Sequence, residues 1–163
     1  MAMTYLSLGA ACCLFVGVLA HASFTDLKRR RIMNVAVLAL LAGYLPFAAL
    51  LGVGTTEIVT GLVAGVLVFV IGFACFCAGW MGGGDVKLAA VITLWLGANL
   101  VLPFLMLSAV FGGLLALLFL GLRHWQARID HGQTPPVEGI PYGPALVLAA
   151  LILFPSSHWF AVV

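Results

Sequence analysis

Residues 58–80 read IVTGLVAGVLVFVIGFACFCAGW, without one Asp, Glu, Lys or Arg. As a helix rising 1.5 Å per residue the run spans about 35 Å, enough to cross a hydrocarbon core about 30 Å thick. It ends in Met81-Gly82-Gly83-Gly84-Asp85, a flexible run closed by a carboxylate. Further apolar stretches occupy about 4–25, 33–52, 86–98, 100–122 and 141–162, so the pattern repeats along the whole chain.

Composition agrees. The chain has 163 residues, 64% hydrophobic and 7% charged, against roughly 25% charged in a soluble domain, and its mean hydropathy is +1.25. These values exclude a sizeable separate soluble domain. The expected fold is all-α, a polytopic membrane bundle of about six helices forming one unit over 1–163. The net charge of +2 is too small for a nucleic-acid partner; the lipid bilayer is the partner that composition implies. Cys12, Cys13, Cys75 and Cys77 all lie in apolar runs and lack the spacing and polar surround of a zinc site, so they read as small buried hydrophobes, with no metal.

The breaks carry turn signals. Gly52-Val53-Gly54-Thr55-Thr56-Glu57 resembles a cap leading into a helix. Gly97-Ala98-Asn99, with Pro103 just beyond, divides an otherwise overlong helix. With the N-terminus outside, loops at about 26–32, 80–87 and 123–140 face the cytoplasm. They hold every basic residue: Lys28, Arg29, Arg30, Arg31, Lys87, Arg123 and Arg128. The opposite side holds only Glu57, which satisfies the positive-inside rule with both termini outside. Ala20-His21-Ala22 resembles a signal-peptide cleavage site, but Met1 to Ser23 has no basic residue to start a signal, so the segment reads as a retained span. The fourth span is short: 86–98 covers about 20 Å, which would sink Asp85 below the membrane surface.

On this topology Asp26 and Asp85 both fall at the cytoplasmic boundary. Asp26 alone would be an interfacial carboxylate pairing with Arg29 or Arg30, and Asp85 alone an N-cap with glycines supplying the turn. Together at one depth they suggest chemistry, because a carboxylate near hydrocarbon is costly. Neighbouring carboxylates share a proton, so one can activate water while the other protonates a leaving group. Gly82, Gly83 and Gly84 let a chain approach closely. Lys87 either tunes Asp85 or snorkels to the interface, and snorkelling is the simpler reading. His21 reads as a core histidine within the first span; His124 and His131 lie in the third loop without partner spacing.

Three ordered segments resemble the type IV prepilin peptidases, aspartyl proteases of the GxGD kind. They are Thr25-Asp26-Leu27-Lys28-Arg29-Arg30-Arg31-Ile32-Met33-Asn34, Gly82-Gly83-Gly84-Asp85-Val86-Lys87 and Ile140-Pro141-Tyr142-Gly143-Pro144-Ala145. Met33 stands where the family usually has proline. Larger bacterial members carry a cytoplasmic loop with paired CxxC sequences and an N-methylating activity; the sequence shows neither, so it is similar to the short, peptidase-only form of tight-adherence (Flp-type) pilus systems. The resemblance implies Asp26 and Asp85 as the catalytic pair, with Tyr142 and Pro144 shaping the site and the glycines making room for an extended scissile strand. It implies no cofactor, and a bacterial inner-membrane enzyme whose site faces the cytoplasm. The substrate would be a prepilin or pseudopilin with a basic leader and an apolar helix.

Two rivals stand beside this. A signal-peptide-peptidase-like protease cuts within spans and has Tyr before its first aspartate, where this chain has Thr25, although Pro144-Ala145-Leu146 echoes its PAL element. A transporter or channel subunit would use the carboxylates for ion passage, but should carry acidic residues at several depths. Oligomeric state is not encoded in any of these features.

Overall fold

The computed structural model describes residues 2–129 and 140–161, which are mostly helical, with no strand among them. Six principal helices follow one another: α1 (Ala2–Arg29), α2 (Asn34–Leu51), α3 (Thr55–Cys77), α4 (Gly83–Leu96), α5 (Val101–Ile129) and α6 (Gly143–Leu153). A short α7 (His158–Ala161) is the last described element. Five helical stretches are long and apolar enough to cross a membrane: Ala2–Arg29, Asn34–Leu51, Thr55–Cys77, Ala98–Trp125 and Gly143–Phe160.

The sixth expected span is α4, which does not qualify. Its 14 residues reach about 21 Å. Ten of them, including every residue from Leu88 to Leu96, are buried, so its neighbours rather than lipid surround it. Glycine sets both ends. The Gly82 N-cap opens it, and Gly97 at φ +87° turns the chain into a 3-10 turn, Ala98–Leu100, before α5. Helix α3 lies close along α4, because a Cβ on Gly65 would stand 3.1 Å from the Ala90 carbonyl oxygen and one on Gly72 2.9 Å from Val86 Cγ1. Small residues at a membrane helix interface allow this approach.

Helix ends depart from expectation where good helix formers run past the apolar segments. α1 continues through Asp26 to Arg29, α4 takes in Asp85 and Lys87, and α5 carries Arg123 and Arg128. Water can satisfy the last carbonyls beyond the hydrocarbon, so nothing forces these helices to stop at the apolar limit. The rest of the expected 123–140 loop, with His131, falls largely on residues outside the described ones. Thr55 and Thr56 do start α3, but neither side chain caps it; Gly54 is the N-cap. α2 and α3 end in left-handed glycines, Gly52 (φ +70°) and Gly79 (φ +75°). The following amides, Val53 and Trp80, donate back to Ala48 and Cys75, closing each end in a Schellman arrangement. His21 faces outward rather than into the core: one helix face must meet lipid, and position 21 is on it.

At the end away from Asp85, aromatic rings lock the bundle. Trp95 stacks on Phe15 and Trp159 with centroids 5.1 and 4.9 Å away, Phe154 covers Phe15 at 4.3 Å, and Tyr44 meets Trp159 edge-on at 5.6 Å. The indole Trp159 Nε1–H donates to the Trp95 carbonyl at 2.6 Å, one of the carbonyls orphaned where α4 stops. Trp95 Nε1–H donates to the Leu40 carbonyl in α2 at 2.9 Å. Replacing Trp95 by Ala should therefore cost on the order of 3–5 kcal/mol, seen as a lower thermal midpoint in detergent, while Leu38→Ala on the exposed face of α2 should leave the midpoint nearly unchanged.

Candidate active site

Asp26 sits in the last turn of α1, buried at 5% exposure. The backbone N–H of Gly143 donates to its Oδ2 at 2.8 Å. Gly143 is the first residue of α6, and such amides, with the helix dipole behind them, attract negative charge. Only glycine fits there, since a Cβ would lie 2.7 Å from Asp26 Oδ2 and 3.0 Å from Asp26 Cβ. The Arg30 amide closes α1 onto the Asp26 carbonyl. Arg30 itself adopts φ +52°; its guanidinium lies 5.3 Å from the Phe119 ring centroid, and its charge reaches Asp26.

Asp85 occupies the third position of α4, where a carboxylate can fold back over the helix start. It does so onto Gly82, whose amide steadies its charged form, and a Cβ on Gly82 would fall 2.8 Å from Asp85 Oδ2. Burial is the larger influence. Loss of water, then the negative charge of Asp26, raises the Asp85 carboxyl to about 6. The other two glycines serve packing, Gly83 against the Phe76 ring and Gly84 against Ile32.

Both carboxylates open onto one cavity of about 800 Å³. Its walls come from α1 (Asp26) and the residue just after it (Arg30), the end of α3 and the turn after it (Cys75, Gly79–Gly82), α4 (Asp85), α5 (Gly112, Ala116) and the approach to α6 (Ile140–Tyr142). The Tyr142 hydroxyl donates to the Ser108 carbonyl at 3.0 Å, and its ring lies so close to Gly112 that no Cβ would fit between them. Burial, and then the charge of Asp85, pushes the Tyr142 hydroxyl above its ordinary pKa, so it stays a protonated donor. Among the described residues no group of three His, Cys, Asp or Glu side chains comes together as metal ligands would.

Of the residues marked from the sequence, Asp26, Gly82, Asp85 and Tyr142 share the cavity. Gly83, Gly84, Lys87 and Pro144 do not line it. Pro144 lies in the first turn of α6, where no amide partner is needed. Lys87 Nζ donates to Asn34 Oδ1 at 3.2 Å, tying the start of α4 to the start of α2. The sequence reading passed over Gly143, although it lies between two residues that were marked. From the sequence Arg30 reads as a topology determinant or a partner of Asp26 and Cys75 as a small buried hydrophobe, whereas Cys75 is only half-buried and lines the cavity; Gly112 and Ala116 carry no mark.

The profile of the type IV leader peptidase family matches residues 13–117, a segment holding both aspartates. The chain belongs to that family. A prepilin leader peptidase/N-methyltransferase of Aeromonas hydrophila is 34% identical over 147 residues, covering 87% of this chain and 48% of the relative. The protein of the same description from Aeromonas salmonicida (strain A449) is also 34% identical over 147 residues, covering 87% of this chain and 47% of the relative. The chain thus spans about half the length of the curated relatives it matches. No solved structure matches it.

The crowding around Asp26 is testable through stability alone. Gly143→Ala should destabilise the bundle by about 1–3 kcal/mol, the usual cost of overpacking. Gly113→Ala, where a Cβ meets nothing within 4 Å, should be neutral or stabilising by up to about 1 kcal/mol, since Ala is the better helix former. Equal thermal midpoints for the two variants would contradict the packing described.

Proposed function

We propose that this chain is a membrane aspartyl endopeptidase that removes the short basic leader of prepilin-like proteins at the cytoplasmic membrane boundary. The observation that carries the reading is the meeting of Asp26 and Asp85 in one cavity, in a chain of the leader peptidase family. The relatives' own description as prepilin leader peptidases supplies the substrate class. The clustering of basic residues around the cavity end supports a cytoplasmic orientation, and hence an inner-membrane site.

The chemistry works with one proton held between the carboxylates. The charged member takes a proton from water, and the water oxygen attacks the scissile carbonyl carbon. The protonated member gives its proton to the carbonyl oxygen. The resulting tetrahedral diol collapses as the proton taken from water passes to the amide nitrogen and a diol hydroxyl returns its proton to the other carboxylate; the carbonyl re-forms, the C–N bond breaks, and the shared proton is restored. Burial and the charge of Asp26 raise Asp85 to about 6, so the pair keeps its shared proton up to about that pH. Arg30 and Tyr142 stand at the cavity wall, where a cation and a hydroxyl can orient the peptide.

Co-expression with a prepilin, followed by leader removal on a gel, tests the reading. Asp26→Asn and Asp85→Asn should each abolish the mobility shift while inserting normally into the membrane; cleavage surviving in either variant would refute the paired-carboxylate mechanism. The pH dependence carries a sign as well. The rate should fall at low pH as the second carboxylate is protonated, and fall again above a bend near 6 as the pair loses its shared proton. A kcat/KM profile flat from pH 4 to pH 8 would be incompatible with a shared proton.

A further inference from the structure

The aspartate cavity has one wall that its helices do not close. α3 packs along α4, and α5 packs along α6, but α3 and α5 form no extensive interface with each other. Yet Cys75 of α3 and Gly112 and Ala116 of α5 line the same cavity, so the cavity opens between these two helices. The register extends the opening into the membrane. On α3, Ile71 lies one turn from Cys75 on the same face and is 64% exposed. On α5, Ala109 lies three positions before Gly112, on the same face, and is also exposed. One wall is therefore apolar and the facing wall is small, a slot of the kind that receives another membrane helix.

We propose that the slot between α3 and α5 is the lateral entry and docking groove for the apolar helix of the substrate, with Ala116 setting how closely that helix approaches the aspartates. The proposal rests on the peptidase reading, which also supplies the argument for the occupant. The bond to be cut joins a polar leader to a helix that stays in lipid. Such a helix cannot rise out of the membrane to reach a buried site, so it comes in from the side. Elsewhere the helices form a chain of packed pairs: α5 on α6, α6 on α1, α1 on α2, α2 on α4 and α4 on α3. Cys75, Gly112 and Ala116 stand both on the facing sides of α3 and α5 and in the cavity holding Asp26 and Asp85, which sets the helix end and the scissile bond on one path.

Site-specific photo-crosslinking in the full-length chain tests this. A benzophenone amino acid replaces Ile71, Ala109 or, as a control on the outward face of α2, Leu38; each is placed both in the native chain and in the Asp85→Asn chain, which retains its substrate. Irradiation with a tagged prepilin should give adducts from Ile71 and Ala109 at least tenfold more abundant than from Leu38. Comparable adducts at Leu38, adducts only to a second copy of this chain, or none at Ile71 and Ala109 while the native chain still removes the leader would each overturn the groove. Failure of the native chain to remove any leader would instead overturn the peptidase reading, and the groove with it. As an independent measure, Ala116→Phe should lower kcat/KM for prepilin at least tenfold, mainly through KM, with an unchanged thermal midpoint. An unaltered KM in a folded Ala116→Phe variant would also refute the groove.

Discussion

The hydrogen bond from Gly143 to Asp26 fixes the layer of this bundle that holds the two aspartates. It joins the end of the first helix to the start of the sixth, 117 residues apart in sequence. Several features depend on it. α1 must stay helical through Asp26 to carry the carboxylate inward, and α6 must begin with a residue that has no Cβ. Tyr142, immediately before, is then held against α5 by its bond to the Ser108 carbonyl, which lets Gly112 and Ala116 form the cavity wall. Beyond the hydrocarbon such a bond would compete with water; here Asp26 is buried, so its partner must come from the protein.

α4 supplies the second carboxylate under a different constraint. It is too short to span the membrane and too buried to need to. From Leu88 to Leu96 its sequence is apolar all round apart from Thr93, as expected for a helix surrounded by others. Glycine at each end frees its backbone to turn, while the orphaned carbonyl of Trp95 is taken up by an indole from the last segment of the chain. The Asp85 end of α4 is thus positioned by a helix whose far end is sealed among aromatic rings.

The class of the fold was legible because hydrocarbon sets a length that apolar runs must match, and residues 58–80 match it outright. The two aspartates were legible because a carboxylate has so few reasons to be near lipid. Facing was not. With apolar residues all round each helix there is no periodicity to separate core from lipid side, so the outward position of His21 and the inward one of Ala116 had no signal. Helix ends were misplaced at Asp26, Asp85 and Arg123 for a related reason: charge marks where water begins, not where a helix stops. Gly143 could have been found. A glycine between tyrosine and proline at a helix start, in a stretch already set beside an aspartate layer, is where an amide must come close to something. The cluster of indoles was invisible in advance, because its hydrogen bonds go to backbone carbonyls that any residue could offer.

The two ends of the bundle differ in mechanical character. Stacked rings and two indole hydrogen bonds clamp one end, while at the other α3 and α5 flank an open cavity. The clamped helices are α1, α2 and α4, whose Phe15, Tyr44 and Trp95 rings join the cluster; α3 and α5 give it none of these rings. Trp95 and Asp85 are separated by about 15 Å of helix, so a tilt of about 5° about the rings moves the Asp85 end of α4 by only roughly 1.3 Å. The aspartates thus ride on short arms from the fixed end, and any widening of their cavity falls to the side where α3 and α5 form no extensive interface.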